Sequence, residues 1–255
     1  MKNKLVLNPL FVSNEKEIVG FIEKFDTAGV VFIEGKRNKI KLFEIAGKTV
    51  NIKSFKKPGI INKLVYKLFR KSKAKRSFEY ATTLLENNIG TPEPIAFFEK
   101  HDLLGLKESY YASEHLVTEL TFRELVQIPD YPQNEIILRQ FTRFSFDLHE
   151  KGIEFLDHSP GNTLIKKVNE GEYNFYLVDL NRMKFHESMD FETRMKNLRR
   201  LTPQKGMVSI MSNEYAKLYN KTEAEIFERL WFHTSEFQNA FAKKKRLKKK
   251  LLFWK

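Results

Sequence analysis

A chain of 255 residues with 42% hydrophobic and 13% aromatic content can bury a substantial core, which excludes a disordered or low-complexity protein. It has no cysteine, so disulfides and thiolate metal sites are excluded, and no stretch approaches the roughly 20 apolar residues that span a bilayer. A formal net charge of +13 favours anionic partners: nucleic acid, anionic lipid or a phosphorylated substrate.

The first residues, Met1 to Leu7, begin like a signal peptide, but Asn8, Asn14, Glu15 and Glu17 cut the apolar run short, and the chain reads as cytoplasmic. Residues 28 to 56 then read as a strand meander. Ala28 to Glu34 is apolar and β-branched, and Gly35-Lys36-Arg37-Asn38 turns. Ile40 to Ile45 alternates, Ala46-Gly47 turns, and Thr49 to Phe55 alternates again. Lys53 lies in the last of these strands. It is either a solvated strand lysine or a phosphate ligand. Pro58 to Ser72 is basic with apolar teeth at Ile60, Ile61, Leu64, Val65, Leu68 and Phe69.

Lys73 to Asn88 predicts a helix with Phe78, Ala81 and Leu85 as its buried stripe, ended by Gly90 and Pro92. Glu79 lies mid-helix beside that stripe, and Glu86 lies near the helix end. Thr91-Pro92-Glu93-Pro94 is a stiff turn into a strand over Ile95 to Phe98, and Leu106 to His115 reads as another strand. Residues 117 to 151 read as helices. A short one covers Thr118 to Leu125, Pro129 and Pro132 break the chain, and a long one follows with Ile137, Phe141, Phe144 and Leu148 on one face. Gly152 is its stop.

Next come an apolar approach (Ile153, Phe155, Leu156), the loop Asp157-His158-Ser159-Pro160-Gly161-Asn162, a strand over Thr163 to Ile165, a polar turn, and a strand over Tyr173 to Val178. Asp179 closes that strand, seventeen residues after Asn162. A capped turn would explain the loop, since Asp, Ser, Pro, Gly and Asn are turn formers. It does not explain Asp179 after Tyr-Leu-Val. Phosphoryl transfer needs a cation on the phosphates and an acceptor hydroxyl held in line. Asn162 and Asp179 offer oxygen ligands to a hard divalent metal, and Asp157 can take the hydroxyl proton.

Beyond Asp179, Phe191 to Leu201 predicts a basic helix carrying Arg194, Arg199 and Arg200, ended by Pro203. Ser212 to Leu218 and Glu223 to Ala242 are further helical patterns. The tail from Lys243 is strongly basic, with Leu247, Leu251 and Trp254 on one helical face. It reads either as a solvated terminus or as a basic amphipathic helix suited to an anionic membrane surface. RNA is disfavoured because the charge run lacks interleaved aromatics.

The chain resembles the lipopolysaccharide core kinases, the Kdo/WaaP family of kinase-like proteins. The residues that carry the likeness are Val50-Asn51-Ile52-Lys53, Glu79 with Gly90 and Pro92-Glu93-Pro94 behind it, Leu156 to Asn162, and Val178-Asp179-Leu180-Asn181-Arg182. The resemblance implies an α+β, bilobal protein-kinase-like fold. Residues 1–116 would be the N-terminal lobe, 117–241 the larger helical lobe and 242–255 the basic tail. It further implies ATP- and Mg²⁺-dependent phosphorylation of a Kdo or heptose hydroxyl in the lipopolysaccharide inner core, at the cytoplasmic face of the inner membrane. The partners would be an anionic glycolipid and, through the tail, the membrane surface.

On this pattern Asp157 is the catalytic base, and Asn162 and Asp179 bind the metal. Lys53, held by Glu79, clamps the phosphates. Gly35, with Lys36 and Arg37 beside it, stands where relatives carry a glycine-rich phosphate loop, and Glu114 to Leu116 stands where backbone groups meet adenine. Arg182, Arg194, Arg199 and Arg200 are candidates to hold the acidic substrate. Phe155 and Leu156 replace the usual His-Arg pair, and Leu180-Asn181 replaces Phe-Gly. Two other readings stay open: a kinase-like enzyme acting on a small molecule or protein, and a non-catalytic pseudokinase that binds membrane or a partner.

Overall fold

In a computed structural model of the chain, residues 2–36, 38–59, 63, 66, 70–128 and 130–252 are described. The expectations that fall on Arg37, on Ile60, Ile61, Leu64, Val65, Leu68 and Phe69, on Pro129, and on the tail's Leu251 side chain and Trp254 lie outside the described residues. The chain divides into two compact units. One holds residues 1–117 with 179–182, and the other holds 118–178 with 183–255.

The first unit is built on an antiparallel sheet of six strands. These are β1 (Lys2–Leu7), β2 (Val30–Glu34), β3 (Asn38–Ile45), β4 (Lys48–Phe55), β5 (Pro94–Asp102) and β6 (Gly105–Glu114), in the order β1-β5-β6-β4-β3-β2. Side chains alternate between its faces. Val50 and Ile52 of β4 join Phe43, Phe98 and Tyr110 under helix α1 (Glu15–Glu23), whose Ile18 and Ile22 fill that core. Phe55 and Phe97 point the other way, against Ala74 of helix α2 (Lys73–Glu86). Lys53 shares the parity of Phe55, so it projects on the α2 face of the sheet.

The sequence did not announce β1 or α1. Lys2–Leu7, whose apolar run is too short for a signal peptide, pairs with Ala96 to His101. The stripe on α2 is also rotated from expectation. Ala74, Ser77, Ala81 and Leu84 are buried, while Phe78 and Leu85 are half-buried, because small residues let the helix approach the sheet closely.

The second unit is mostly helical. A three-stranded sheet, β10-β9-β7, is formed by β7 (Leu120–Thr121), β9 (Thr163–Asn169) and β10 (Glu172–Leu177). A ribbon pairs β8 (Ile153–Phe155) with β11 (Met183–Phe185). Five helices accompany them: α3 (Phe122–Gln127), α4 (Asn134–Glu150), α5 (Phe191–Leu198), α6 (Lys205–Ala216) and α7 (Glu223–Leu252). Phe122, Ile137, Phe141, Phe175, Met195, Met211, Tyr215 and Ile226 form the centre of the core.

Helix α3 starts later than the predicted Thr118. Thr121 caps it with a capping box, its Oγ1 accepting from the Arg123 N–H at 3.2 Å while the Glu124 carboxylate accepts from the Thr121 N–H at 2.7 Å. Helix α4 stops at Gly152, whose φ of 68° is the left-handed conformation that favours glycine. A Cβ there would lie 2.0 Å from the His186 carbonyl oxygen. Helix α7 runs past the predicted Ala242 to Leu252, and Lys243 to Lys250 are exposed along it.

Candidate active site

In the second unit the loop between β8 and β9 carries Asp157 and Asn162. Pro160–Asn162 forms one 3-10 turn, closed by the Asn162 N–H donating to Ser159 O at 2.9 Å. Asn162 Nδ2 donates back to Asp157 O at 2.8 Å, which leaves its amide oxygen as the side-chain group suited to a cation. Gly161 leaves room for a guanidinium, since a Cβ there would lie 2.3 Å from Arg123 Nη2.

The loop is fastened to α5 by Asn197, which is buried. Asn197 Nδ2 donates to Phe155 O at 2.8 Å, so its Oδ1 is the acceptor in its other bonds. His158 Nδ1 donates to that oxygen at 3.3 Å and His149 Nε2 donates to it at 3.2 Å. His149 Nδ1 then accepts from the Tyr215 hydroxyl at 3.0 Å. Burial pushes the His149 imidazole down to about 3 and His158 to about 4, outweighing the opposing bond to Asn197. Both rings are therefore neutral at physiological pH.

The carboxylate of Asp157 receives Arg200. Its Nη1 donates to Asp157 Oδ1 at 2.9 Å and to Leu156 O at 3.1 Å, and the guanidinium lies 5.6 Å from the Phe237 ring centre. Arg199 lies over the same ring at 6.0 Å. Arg194 is placed differently from the substrate-facing role considered above. It is buried, its Nε donates to Met189 O at 2.8 Å, its Nη1 donates to Glu150 Oε1 at 2.5 Å, and Tyr219 packs on its guanidinium at 4.9 Å. Its charge is occupied within the core.

In the first unit Lys53 Nζ donates to Asp179 Oδ1 at 2.7 Å across 126 residues of sequence. Asn181 Nδ2 donates to the same oxygen at 2.7 Å. Asp179 has a φ of 59°, left-handed backbone that aspartate tolerates better than most residues and that clusters at functional sites. Arg182, in the same segment, is exposed.

The expected Lys53–Glu79 pair is not formed. Glu79 binds Lys71 at 2.9 Å and Lys75 at 3.8 Å. Lys75 is one turn earlier on the same helix face, so it competes with any strand lysine, while Lys53 has a carboxylate in Asp179.

Gly35 closes the β2–β3 turn, its N–H donating to Asn38 O at 3.0 Å. Glu114 pairs with Lys48, and its N–H donates to Glu93 O at 2.9 Å, while the His115 N–H donates to Thr49 O at 2.8 Å. Those two amides serve the sheet. Leu116 follows the last strand and is half-buried.

Sequence reasoning passed over Arg76, Asn197 and Arg123. The capping box Thr121 to Glu124 could have placed Arg123 in the first turn of α3. Arg76 and Asn197 are single polar residues on basic helices and carry no local signal.

The donor chemistry fits Mg²⁺. Asp179 and Asn162 offer hard oxygens, and an ammonium group already sits on Asp179 Oδ1. Among the described residues no group of three or more His, Cys, Asp or Glu gathers.

No curated protein matches the chain. Among solved structures, "WaaP in complex with acyl carrier protein" is similar at a TM-score of 0.65 and 16% identity, over 94% of this chain and 98% of that one. That likeness shows the fold, an α+β kinase-like architecture whose first unit is an antiparallel sheet with helices. The family model described as lipopolysaccharide kinase (Kdo/WaaP) matches residues 26–221. The chain thus belongs to the lipopolysaccharide kinase (Kdo/WaaP) family, which makes it a kinase of lipopolysaccharide assembly.

Proposed function

We propose that the protein transfers the γ-phosphoryl group of ATP to a sugar hydroxyl, on Kdo or heptose, in the inner core of lipopolysaccharide. The observation that carries this reading is the Lys53–Asp179 pair at 2.7 Å, which joins the two family motifs most distant in sequence. Mg²⁺ would neutralise charge on the phosphates, with Asp179 and the amide oxygen of Asn162 as its candidate ligands. Lys53 exchanges Asp179 for a phosphate oxygen when nucleotide binds. Asp157 accepts the proton of the acceptor hydroxyl as that oxygen bonds to the γ-phosphorus and the bond to the bridging oxygen breaks, releasing ADP.

Arg200 orients the Asp157 carboxylate, and Arg199, Arg200 and Arg182 are the candidate cations for an anionic acceptor. Backbone groups near Leu116 would take the adenine, and Gly35 with Lys36 would cover the phosphates. Among the described residues no helix is long and apolar enough to cross a membrane. The exposed lysines of α7 support contact with an anionic membrane surface at the cytoplasmic face of the inner membrane.

The test is transfer of labelled γ-phosphate from Mg–ATP to Kdo-bearing lipid A, with wild type and Asp157→Ala side by side. Label in the lipid from wild type alone supports the reaction, the substrate class and the base. A thermal shift with Mg–ATP but no transfer moves the search to heptosylated core. Neither shift nor transfer leaves a non-catalytic kinase-like module.

A further inference from the structure

Helix α2 reaches the Asp179 segment through a residue that no motif marks. Arg76 is 8% exposed, and its Nη1 donates to the backbone oxygen of Asn181 at 2.6 Å. Asn181, 9% exposed, passes the contact on through its Nδ2 to Asp179 Oδ1 at 2.7 Å. A continuous path thus runs from the helix through Arg76 and Asn181 to the carboxylate.

Arg76 is a costly residue to bury. Its Nε has no hydrogen-bond partner among the described residues. Burial, then the nearby charge of Arg70, holds its guanidinium below the ordinary arginine range. A hydrophobic side chain would pack in such a place without that cost. A buried, incompletely satisfied cation asks for an explanation other than stability.

The second partner of Asp179 explains what Arg76 is for. Lys53 cannot hold Asp179 and a nucleotide phosphate oxygen with full strength at once. Once it turns to phosphate, Asn181 and Arg76 remain to fix the carboxylate. We propose that Arg76 is a positioning residue for the divalent cation, acting through Asn181 to hold Asp179 in its ligating orientation. It ties α2 to the metal ligand, where the family pattern would use a Lys53–Glu79 pair. The inference rests on the reading of Asp179 as a metal ligand.

The experiment is a thermal-shift titration of the full chain with Mg²⁺ at fixed ATP, on wild type, Arg76→Gln, Arg76→Lys and Asn181→Ala. Partners of this kind change metal affinity by about 10- to 100-fold when removed, so the half-saturating Mg²⁺ should rise by that factor in Arg76→Gln and Asn181→Ala. Arg76→Lys should fall between them and wild type. In turnover assays the loss should shrink as Mg²⁺ is raised. A role in folding alone would lower the melting temperature without ligand and leave the half-saturating Mg²⁺ unmoved; that result overturns the inference. If Arg76→Gln does not fold, Arg76→Lys and Asn181→Ala decide by the same criterion. A wild type that Mg–ATP does not stabilise overturns the metal-ligand reading of Asp179 first, and the role of Arg76 with it.

Discussion

Asp157 and Asp179 are both carboxylates held by a cation, yet the two settings differ in kind. Asp157 sits in a loop fastened by Asn197, and its cation is Arg200, which grips the side chain and the Leu156 carbonyl together while lying on Phe237. A planar guanidinium with two fixed bonds and an aromatic support is a clamp that sets direction. Asp179 sits two residues past the end of β10, in left-handed backbone, and its cation is the ammonium of Lys53, a compact charge on a flexible stem. Such a charge can be replaced by a dication at little geometric cost. On the proposed roles, the contrast separates an acid oriented for a proton from an acid kept ready for a metal.

Substitutions can break or sharpen that separation. The largest effect belongs to Asp157→Ala. Phosphoryl transfer should fall by about 10²- to 10⁴-fold, while Mg–ATP still raises the melting temperature. Loss of the ATP shift in this variant would erase the distinction.

Asp179→Asn should do the reverse. Asparagine accepts the same backbone, so the fold persists, but the part of the ATP-induced shift that a chelator removes should disappear. An unchanged chelator-sensitive shift would take Asp179 out of the metal site.

Asn197→Ala tests the fastening of the Asp157 loop. It strands the Phe155 carbonyl and two imidazole N–H groups, each costing about 1–3 kcal/mol, which denaturant unfolding would read. Turnover should drop with the KM for ATP little changed.

A pH series sharpens the same point. His149, at about 3, and His158, at about 4, stay neutral in the fold, whereas in the unfolded chain each titrates near the ordinary value of roughly 6.5. Below that value the unfolded chain takes up the protons first. Stability present above pH about 6.5 is therefore lost as the pH falls toward 4 and then 3. His149→Gln should flatten the slope between pH 7 and 5, and an unchanged slope would place the titration elsewhere. The smallest effect is expected of Lys71→Ala. Its pair with Glu79 is partly exposed, so the melting curve should reflect less than about 1 kcal/mol.

The pattern of legibility follows from range. Lys53 could be read because strand alternation places it, and Asp179 because an acid after Tyr-Leu-Val breaks an apolar run. Strand β1 could not, since its partner strand lies some ninety residues away and nothing local shows the pairing, Leu5 with Phe98 among others. Glu79 was found as a residue but not with its partner. Periodicity says which face a side chain occupies, and Lys71 and Lys75 compete for it from nearby.

Helix α5 shows the same limit from the other side. Its arginines read as one basic surface, yet Arg194 and Asn197 turn into the core and only part of that charge remains outside. The capping box at Thr121 was written in the sequence as Thr-Phe-Arg-Glu, and hydrophobic periodicity over the preceding residues masked it.

The left-handed backbone of Asp179 has a consequence for descent. At a φ of 59° the position is open to glycine, asparagine and aspartate and strained for larger or branched side chains. On the proposed metal-ligand role of Asp179, a lineage that abandons catalysis but keeps the fold is steered toward asparagine or glycine at this one place. On that role its exchange would mark a retired chemistry, a mark that can be read in a relative known only as a gene.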